Sequence, residues 1–148
     1  MNIVVGGDHA GFDLKAKVIA RLEAAGHEVK DVGAYSAEPV DFPDVAQELC
    51  AHVLEGSAER GIMVCGTGVG AAIAANKVPG IRAALCHDVF SAHQSVEHDD
   101  VNVLCLGAWI VGEMLTYDLI QAFLDARHST DEAFRRRVAK LAEMDRRT

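Results

Sequence analysis

Aromatic residues are scarce, only 5% of the 148-residue chain, and there are just three prolines. The core must therefore be built from Val, Ile, Leu and Ala rather than from large rings. No apolar run approaches the roughly 20 uncharged residues that a membrane-spanning helix requires, which excludes a helical membrane protein. An excess of positive charge is also missing: the formal net charge is −8, so non-specific attraction to nucleic acid or to anionic lipid is excluded. Basic residues gather only near the C-terminus, at Arg135, Arg136, Arg137, Lys140, Arg146 and Arg147. The first residues lack the basic-then-apolar profile of a secretory leader, and the expectation is a cytoplasmic protein. None of the four cysteines belongs to a C-x-x-C pair, which removes the usual zinc and dithiol motifs. Internal repeats and low-complexity linkers are absent as well. What remains, 50% hydrophobic and 24% charged, fits a single soluble domain over residues 1–148.

Short apolar runs alternate with longer segments of helical period, the signature of βα units closing a parallel sheet. Strands are predicted at 3–5, 28–32, 62–65, 81–86 and 103–106. The first helix shows Leu14, Val18, Ile19 and Leu22 on one face and ends at Gly26, where a left-handed cap belongs. Pro43 sits in the first turn of the second, where an amide would lack a partner. An alanine-rich helix ends at Asn76, another runs through His98, and helices at about 112–126 and 131–143 close the chain. Five βα strands predict a doubly wound, Rossmann-like α/β/α sandwich with ligands at the carboxyl ends of the strands. Asp8, His9, Asp41, Cys65, Thr67, His87 and Asp88 all fall at such ends.

The segment Cys65-Gly66-Thr67-Gly68-Val69-Gly70 carries the strongest chemical signal. Alternating glycines between a strand and a helix let backbone N–H groups converge at a helix N-terminus, which suits an anion or serves a purely structural tight turn. The spacing is neither that of a dinucleotide fold nor that of a P-loop, so no nucleotide cofactor is expected. Cys65 stands beside this helix start, where the dipole favours thiolate, and a thiolate there suits nucleophilic attack or proton abstraction beside a carbonyl. Cys50, Cys86 and Cys105 read as buried thiols. His87, His93 and His98 are spaced by six and five residues, so no two share a helix face and no metal site is expected. His9, next to Asp8, and His98, before Asp99 and Asp100, are the better histidine candidates; His27, His52 and His128 read as surface residues. Arg135-Arg136-Arg137 by itself reads as a solvated helix face.

Taken together, Gly7-Asp8-His9-Ala10-Gly11-Phe12, Asp41-Phe42-Pro43, the Cys65 turn, Ala74-Ala75-Asn76-Lys77-Val78-Pro79-Gly80-Ile81-Arg82-Ala83, Glu97-His98 and the terminal Arg136-Arg137-Val138 resemble ribose-5-phosphate isomerase type B. That family includes the galactose-6-phosphate isomerase subunits. The resemblance implies a metal-free aldose–ketose isomerase that moves a proton between C1 and C2 of a sugar phosphate through an enediolate, with no cofactor. It also implies a homodimer, or a dimer of dimers, whose C-terminal helix reaches the partner's pocket. By the same resemblance Cys65 is the base, Thr67 bonds the reacting end of the sugar, and His98 helps to open the ring. The amides of Gly66, Gly68, Val69 and Gly70 would hold the enediolate oxygen. Asp8 and His98 would handle the sugar hydroxyls, Asp99 after it would line the substrate site, and His9 and Arg137 would bind phosphate.

The chain departs from the family at Phe42 in place of Tyr, Asp99 in place of Asn, Trp109 and Ala133 in place of Arg, and Phe134 in place of His. Two absent arginines remove roughly 3–6 kcal/mol of charged hydrogen bonding. Lys140, three residues beyond Arg137, supplies at best one charge, and Trp109 offers a flat wall against a sugar face. Ribose 5-phosphate is the default substrate. The departures point to another sugar phosphate, or to an unphosphorylated sugar or uronate, as the better one. A non-catalytic small-molecule-binding module on the same fold is a reading of another class, opposed by the retained Cys65, Thr67 and His98.

Overall fold

The computed structural model describes residues 1–147. Five parallel strands, β1 (Asn2–Gly7), β2 (Glu28–Asp31), β3 (Arg60–Cys65), β4 (Ala83–Leu85) and β5 (Val103–Gly107), form one sheet in the order β2-β1-β3-β5-β4. Helices α1 (Phe12–Ala24), α4 (Val89–Asp99) and α5 (Glu113–Asp125) cover one face, around Val18, Leu22, Val96 and Phe123. Helices α2 (Phe42–Leu54) and α3 (Val69–Asn76) cover the other, around Leu49, Met63, Ala71 and Ala75. The core is aliphatic, as the shortage of rings requires: Phe123 is the one ring side chain among its largest fully buried members. Helix α6 (Glu132–Met144) lies outside both layers, packs against α4, and buries none of its own residues. A 3-10 turn, Asp145–Arg147, follows it.

Because β1 leads to β2 on one side and β3 lies on its other side, the chain reverses direction between β1 and β3. A crevice opens at the carboxyl ends of those strands. The turn between β1 and α1 is pressed against β3 there. Gly7 and Gly11 lie so close to the Val64 carbonyl that a Cβ on either would overlap its oxygen. The Asp8 N–H donates to that same oxygen at 3.3 Å.

Three details differ from the sequence expectation. Strand β4 is shorter than the predicted 81–86. The Ile81 N–H folds back onto the Val78 carbonyl at 3.1 Å and the Arg82 N–H turns to Asn102 Oδ1 at 2.9 Å, so ladder pairing starts only at Ala83. In α1 the inward stripe is Lys15, Val18 and Leu22, with Leu14 only half-buried. A lysine occupies a core position because its ammonium meets Asp31 Oδ1 at 2.6 Å and the Ala34 carbonyl at 2.7 Å. Its stem meanwhile packs among apolar groups. His128 is not a surface residue: its side chain is 20% exposed, with Nδ1 3.9 Å from Asp100. Gly26 does take the left-handed cap, at φ +87°.

Adding a methyl group at position 11 must displace backbone, which does not yield as a side chain tip does. Gly11→Ala is expected to lose about 1–3 kcal/mol of unfolding free energy in urea titration. The same change at Gly26 meets nothing within 4 Å and strains only the left-handed φ. An unaltered urea midpoint for Gly11→Ala would contradict the close approach.

Candidate active site

Cys65 ends β3, and its thiol faces the start of α3. Gly68 adopts φ +81°, a left-handed turn that aims its N–H at Cys65 Sγ, 3.0 Å away. A glycine is needed at 68 for a second reason, since a Cβ would lie 2.5 Å from Leu85 Cδ1. One residue on, the Val69 N–H donates to Thr67 Oγ1 at 3.3 Å. The sulfur and the hydroxyl thus each receive a backbone donor at a helix N-terminus, where partial positive charge collects. The amides of Gly68 and Val69 thus each meet a side chain of the same turn.

The other loops close around this turn. Asp8 is buried, and its Oδ1 accepts the N–H groups of Ala10 and Gly11 at 3.0 and 3.1 Å, which fixes the first loop in shape. His9 Nδ1 accepts the Val40 N–H at 3.3 Å. On the opposite side the N–H groups of Ala108 and Trp109 donate to the carbonyls of Cys65 and Gly66 at 2.8 and 2.9 Å. The Trp109 ring lies over Gly66, within 2.8 Å of where a Cβ would sit, and the Phe42 ring covers Gly70 at 2.7 Å in the same sense. Each outer glycine of the turn thus faces an aromatic ring.

Asp8, His9, Cys65, Gly66, Thr67, Gly68, Val69, Gly70 and Trp109 are brought together at the carboxyl edge of the sheet. His98, Asp99, Arg137 and Lys140 are not. Helix α4 starts beside the end of β4 and runs back along the sheet, so His98 in its last turn lies at the amino edge, near the start of β5. Strands of five or six residues separate that edge from Cys65 by about 15–20 Å. The His98 imidazole stacks on Phe134, ring centres 3.9 Å apart, while Arg137 and Lys140 stand exposed on the same helix α6.

Two contacts near the site escape sequence reasoning. His87 Nε2 accepts the Gly107 N–H at 3.1 Å and so steadies the turn that carries Trp109. Its place at a strand end was a signal, but its partner is a backbone amide that no sequence pattern reveals. Lys15 holds the 31–34 segment beneath the Asp8 loop. The 15, 18, 22 spacing of α1 offered a signal for this, though a lysine is not normally read as core. Among the described residues no group of three His, Cys, Asp or Glu side chains is placed to hold a metal ion.

All four thiols are buried, Cys65 included. Burial pushes Cys50 and Cys86 up to about 11, and Cys105, wholly enclosed, higher still.

A family model described as Ribose/Galactose Isomerase matches residues 3–141. The chain belongs to the ribose/galactose isomerase family. It is 44% identical over 126 residues to ribose-5-phosphate isomerase B of Escherichia coli K12, covering 85% of each chain. It is 42% identical over 130 residues to a D-erythrulose-4-phosphate isomerase of Pectobacterium atrosepticum, covering 85% of this chain and 84% of that one. The structure of ribose-5-phosphate isomerase B from Clostridium thermocellum superposes with a TM-score of 0.96 at 42% identity, covering 99% of this chain and 98% of that chain. Like its relatives, this member of the family is an aldose–ketose isomerase on the Rossmann-like sandwich.

At pH 8 a thiol raised to about 11 is ionised in roughly one molecule per thousand. Native protein treated with iodoacetamide and digested for mass spectrometry should therefore leave Cys50, Cys86 and Cys105 unmodified until denaturant is added. Label on Cys105 in the native protein would contradict the enclosed thiol.

Proposed function

We propose that this isomerase interconverts ribose 5-phosphate and ribulose 5-phosphate, with the Cys65 thiolate as the base that carries the proton between C2 and C1. The supporting observation is the sulfur itself, set at the N-terminus of α3 with the Gly68 N–H 3.0 Å away. Starting from the open-chain aldose, the thiolate takes the C2 proton and the C1 carbonyl oxygen gains the negative charge of an enediolate. Returning the proton to C1 while the O2 proton passes to O1 yields the ketose and restores the thiolate. The charged oxygen needs donors in place before it forms, and the first-turn amides of α3 with the Thr67 hydroxyl are the groups at hand. Asp8 and Asp99 take the sugar hydroxyls, His98 the ring oxygen, and His9, Arg137 and Lys140 the phosphate.

These roles require groups from both edges of the sheet. A second copy supplies His98, Asp99 and the α6 cations to the Cys65 pocket of the first, and receives the same in return, as a two-fold dimer allows. The test is complementation. Cys65→Ala and His98→Asn homodimers should each lose about 10²–10⁴-fold in kcat. Unfolded and refolded together, they should regain about a quarter of wild-type activity, because half of the dimers are mixed and each mixed dimer has one intact site. No recovery, or a fully active monomer in sedimentation, would refute the shared site. No helix among the described residues is long and apolar enough to cross a membrane, and we place the enzyme in the cytoplasm.

A second reading, a tetrose phosphate as the better substrate, draws support from Trp109. Its ring occupies the wall at Gly66 where the resemblance places an arginine, so that wall is aromatic rather than cationic. The Pectobacterium relative is named for a four-carbon substrate. A wild-type kcat/KM on erythrulose 4-phosphate above that on ribose 5-phosphate is the expected sign. Trp109→Arg should then raise the ribose 5-phosphate value about ten- to a hundredfold, the worth of one charged hydrogen bond. A wild-type preference for ribose 5-phosphate that Trp109→Arg leaves unchanged would dismiss the tetrose reading and retain the pentose one.

A further inference from the structure

Helix α6 buries none of its residues, yet it carries a phenyl ring. Phe134, half-buried, lies flat against the His98 imidazole with ring centres 3.9 Å apart and planes inclined by 15°. Arg137, one turn further on, places its guanidinium 5.5 Å from the centre of the same phenyl ring. Phe134 lies on the half-buried stripe of α6 that also carries Val138 and Ala142, the helix packing against α4. What it packs is the imidazole, with a cation on the same aromatic surface.

The frame around the stack is fixed. The Ser129 N–H donates to the Glu97 carbonyl at 2.9 Å just before α6 starts, and Asp131 caps the helix by accepting the Ala133 N–H at 2.7 Å. At the far end the Gly80 N–H donates to Asp145 Oδ2 at 2.8 Å. Both ends of α6 are thus tied to elements that do not move with its side chains. Without the phenyl face, an imidazole at the half-exposed end of α4 has its ring rotation unrestrained.

We propose that Phe134 is a positioning residue for ring opening. It holds the plane of His98 so that the imidazole meets the ring oxygen of a furanose, and it sets Arg137 alongside at the distance of the phosphate. The proposal rests on the ring-opening reading of His98. Proton relay needs heavy atoms within about 2.6–3.2 Å, and misplacement by 1 Å costs up to about a hundredfold. Losing the flat face should therefore slow the step that needs the imidazole and leave the thiolate step alone.

Ribose 5-phosphate is a furanose that must open, whereas ribulose 5-phosphate is open-chain and can exchange its C1 hydrogen with solvent through the enediolate without ring closure. Phe134→Leu keeps apolar bulk and removes the face; Phe134→Tyr keeps the face. Phe134→Leu should lower kcat for ribose 5-phosphate about tenfold with KM within twofold, and leave C1 exchange of ribulose 5-phosphate in D2O, read by NMR, within twofold. Phe134→Tyr should match wild type, and thermal melts should coincide because α6 adds nothing to the core. His98→Asn should show the same split, only deeper. Unchanged kcat in Phe134→Leu, equal loss of exchange and isomerisation, or failure of Phe134→Tyr to preserve activity overturns the positioning role. If His98→Asn shows the split and Phe134→Leu does not, only that role fails. If His98→Asn loses both activities equally, the ring-opening reading fails and takes the positioning role with it.

Discussion

The Val64 carbonyl oxygen, one residue before Cys65, fixes the distance between the two loops that meet at the reversal of the sheet. It accepts the Asp8 N–H, and the first loop crosses it with two glycines whose missing side chains allow the contact. On the other side of β3, the carbonyls of Cys65 and Gly66 accept the N–H groups of Ala108 and Trp109. Backbone bonds thus hold three loops together, and they leave little slack around the Cys65 thiol. Side-chain packing alone would allow rotamer motion; amide-to-carbonyl contacts at the strand ends do not.

Lys15 supports the same corner from below. Removing a charged amine from water costs several kcal/mol unless it is paired and fully bonded. Here Asp31 and the Ala34 carbonyl provide that pairing, while Phe12 and Tyr35 place rings 5.9 and 5.5 Å from the ammonium. The bond to Ala34 draws the 31–35 segment against α1. That segment also meets the first loop, since the Gly7 N–H donates to the Gly33 carbonyl at 2.7 Å. A buried ion pair is seldom the most stable filling for a core, but it specifies one arrangement of a segment that has no strand or helix of its own.

The architecture was legible because βα units announce themselves through period and turn chemistry, as at Gly26, Pro43 and the 66–70 turn. The thiol beside a helix start was legible too, since strand, glycine turn and alanine helix are contiguous at Cys65. Contacts between segments distant in the chain were not. Nothing in Leu14 and Lys15 tells which of the two turns inward until Asp31 is known to lie opposite. The short β4 depends on Asn102 capturing the Arg82 amide from the neighbouring strand. The placement of His98 is the most instructive case. Its sequence neighbours suggested chemistry, but the parallel topology, which carries each helix back from the carboxyl to the amino edge, decides where that chemistry is delivered.

That topology also bears on what surrounds the thiol. Trp109 is 73% exposed and Phe90, in the first turn of α4, equally so; Val69 and Ile73 on α3 are about half exposed. Rings and aliphatic groups so open to water around an otherwise polar crevice are costly in a lone chain and favourable once covered. At the other edge, α6 shows the opposite character, with Arg135, Arg136, Arg137 and Lys140 all exposed and no buried residue. A cationic helix is poorly suited to cover apolar side chains by itself. In the proposed dimer its arginines would find a phosphate, while Phe134 and the lysine and arginine stems would meet the apolar rim. The two edges are therefore complementary in character: one has the Cys65 thiol and an apolar rim, the other has exposed cations and an imidazole. Under the proposed shared site, substrate charge is what would make their union favourable, and a shift from a pentose to a tetrose phosphate would change the carbon chain between the edges without altering what each edge contributes.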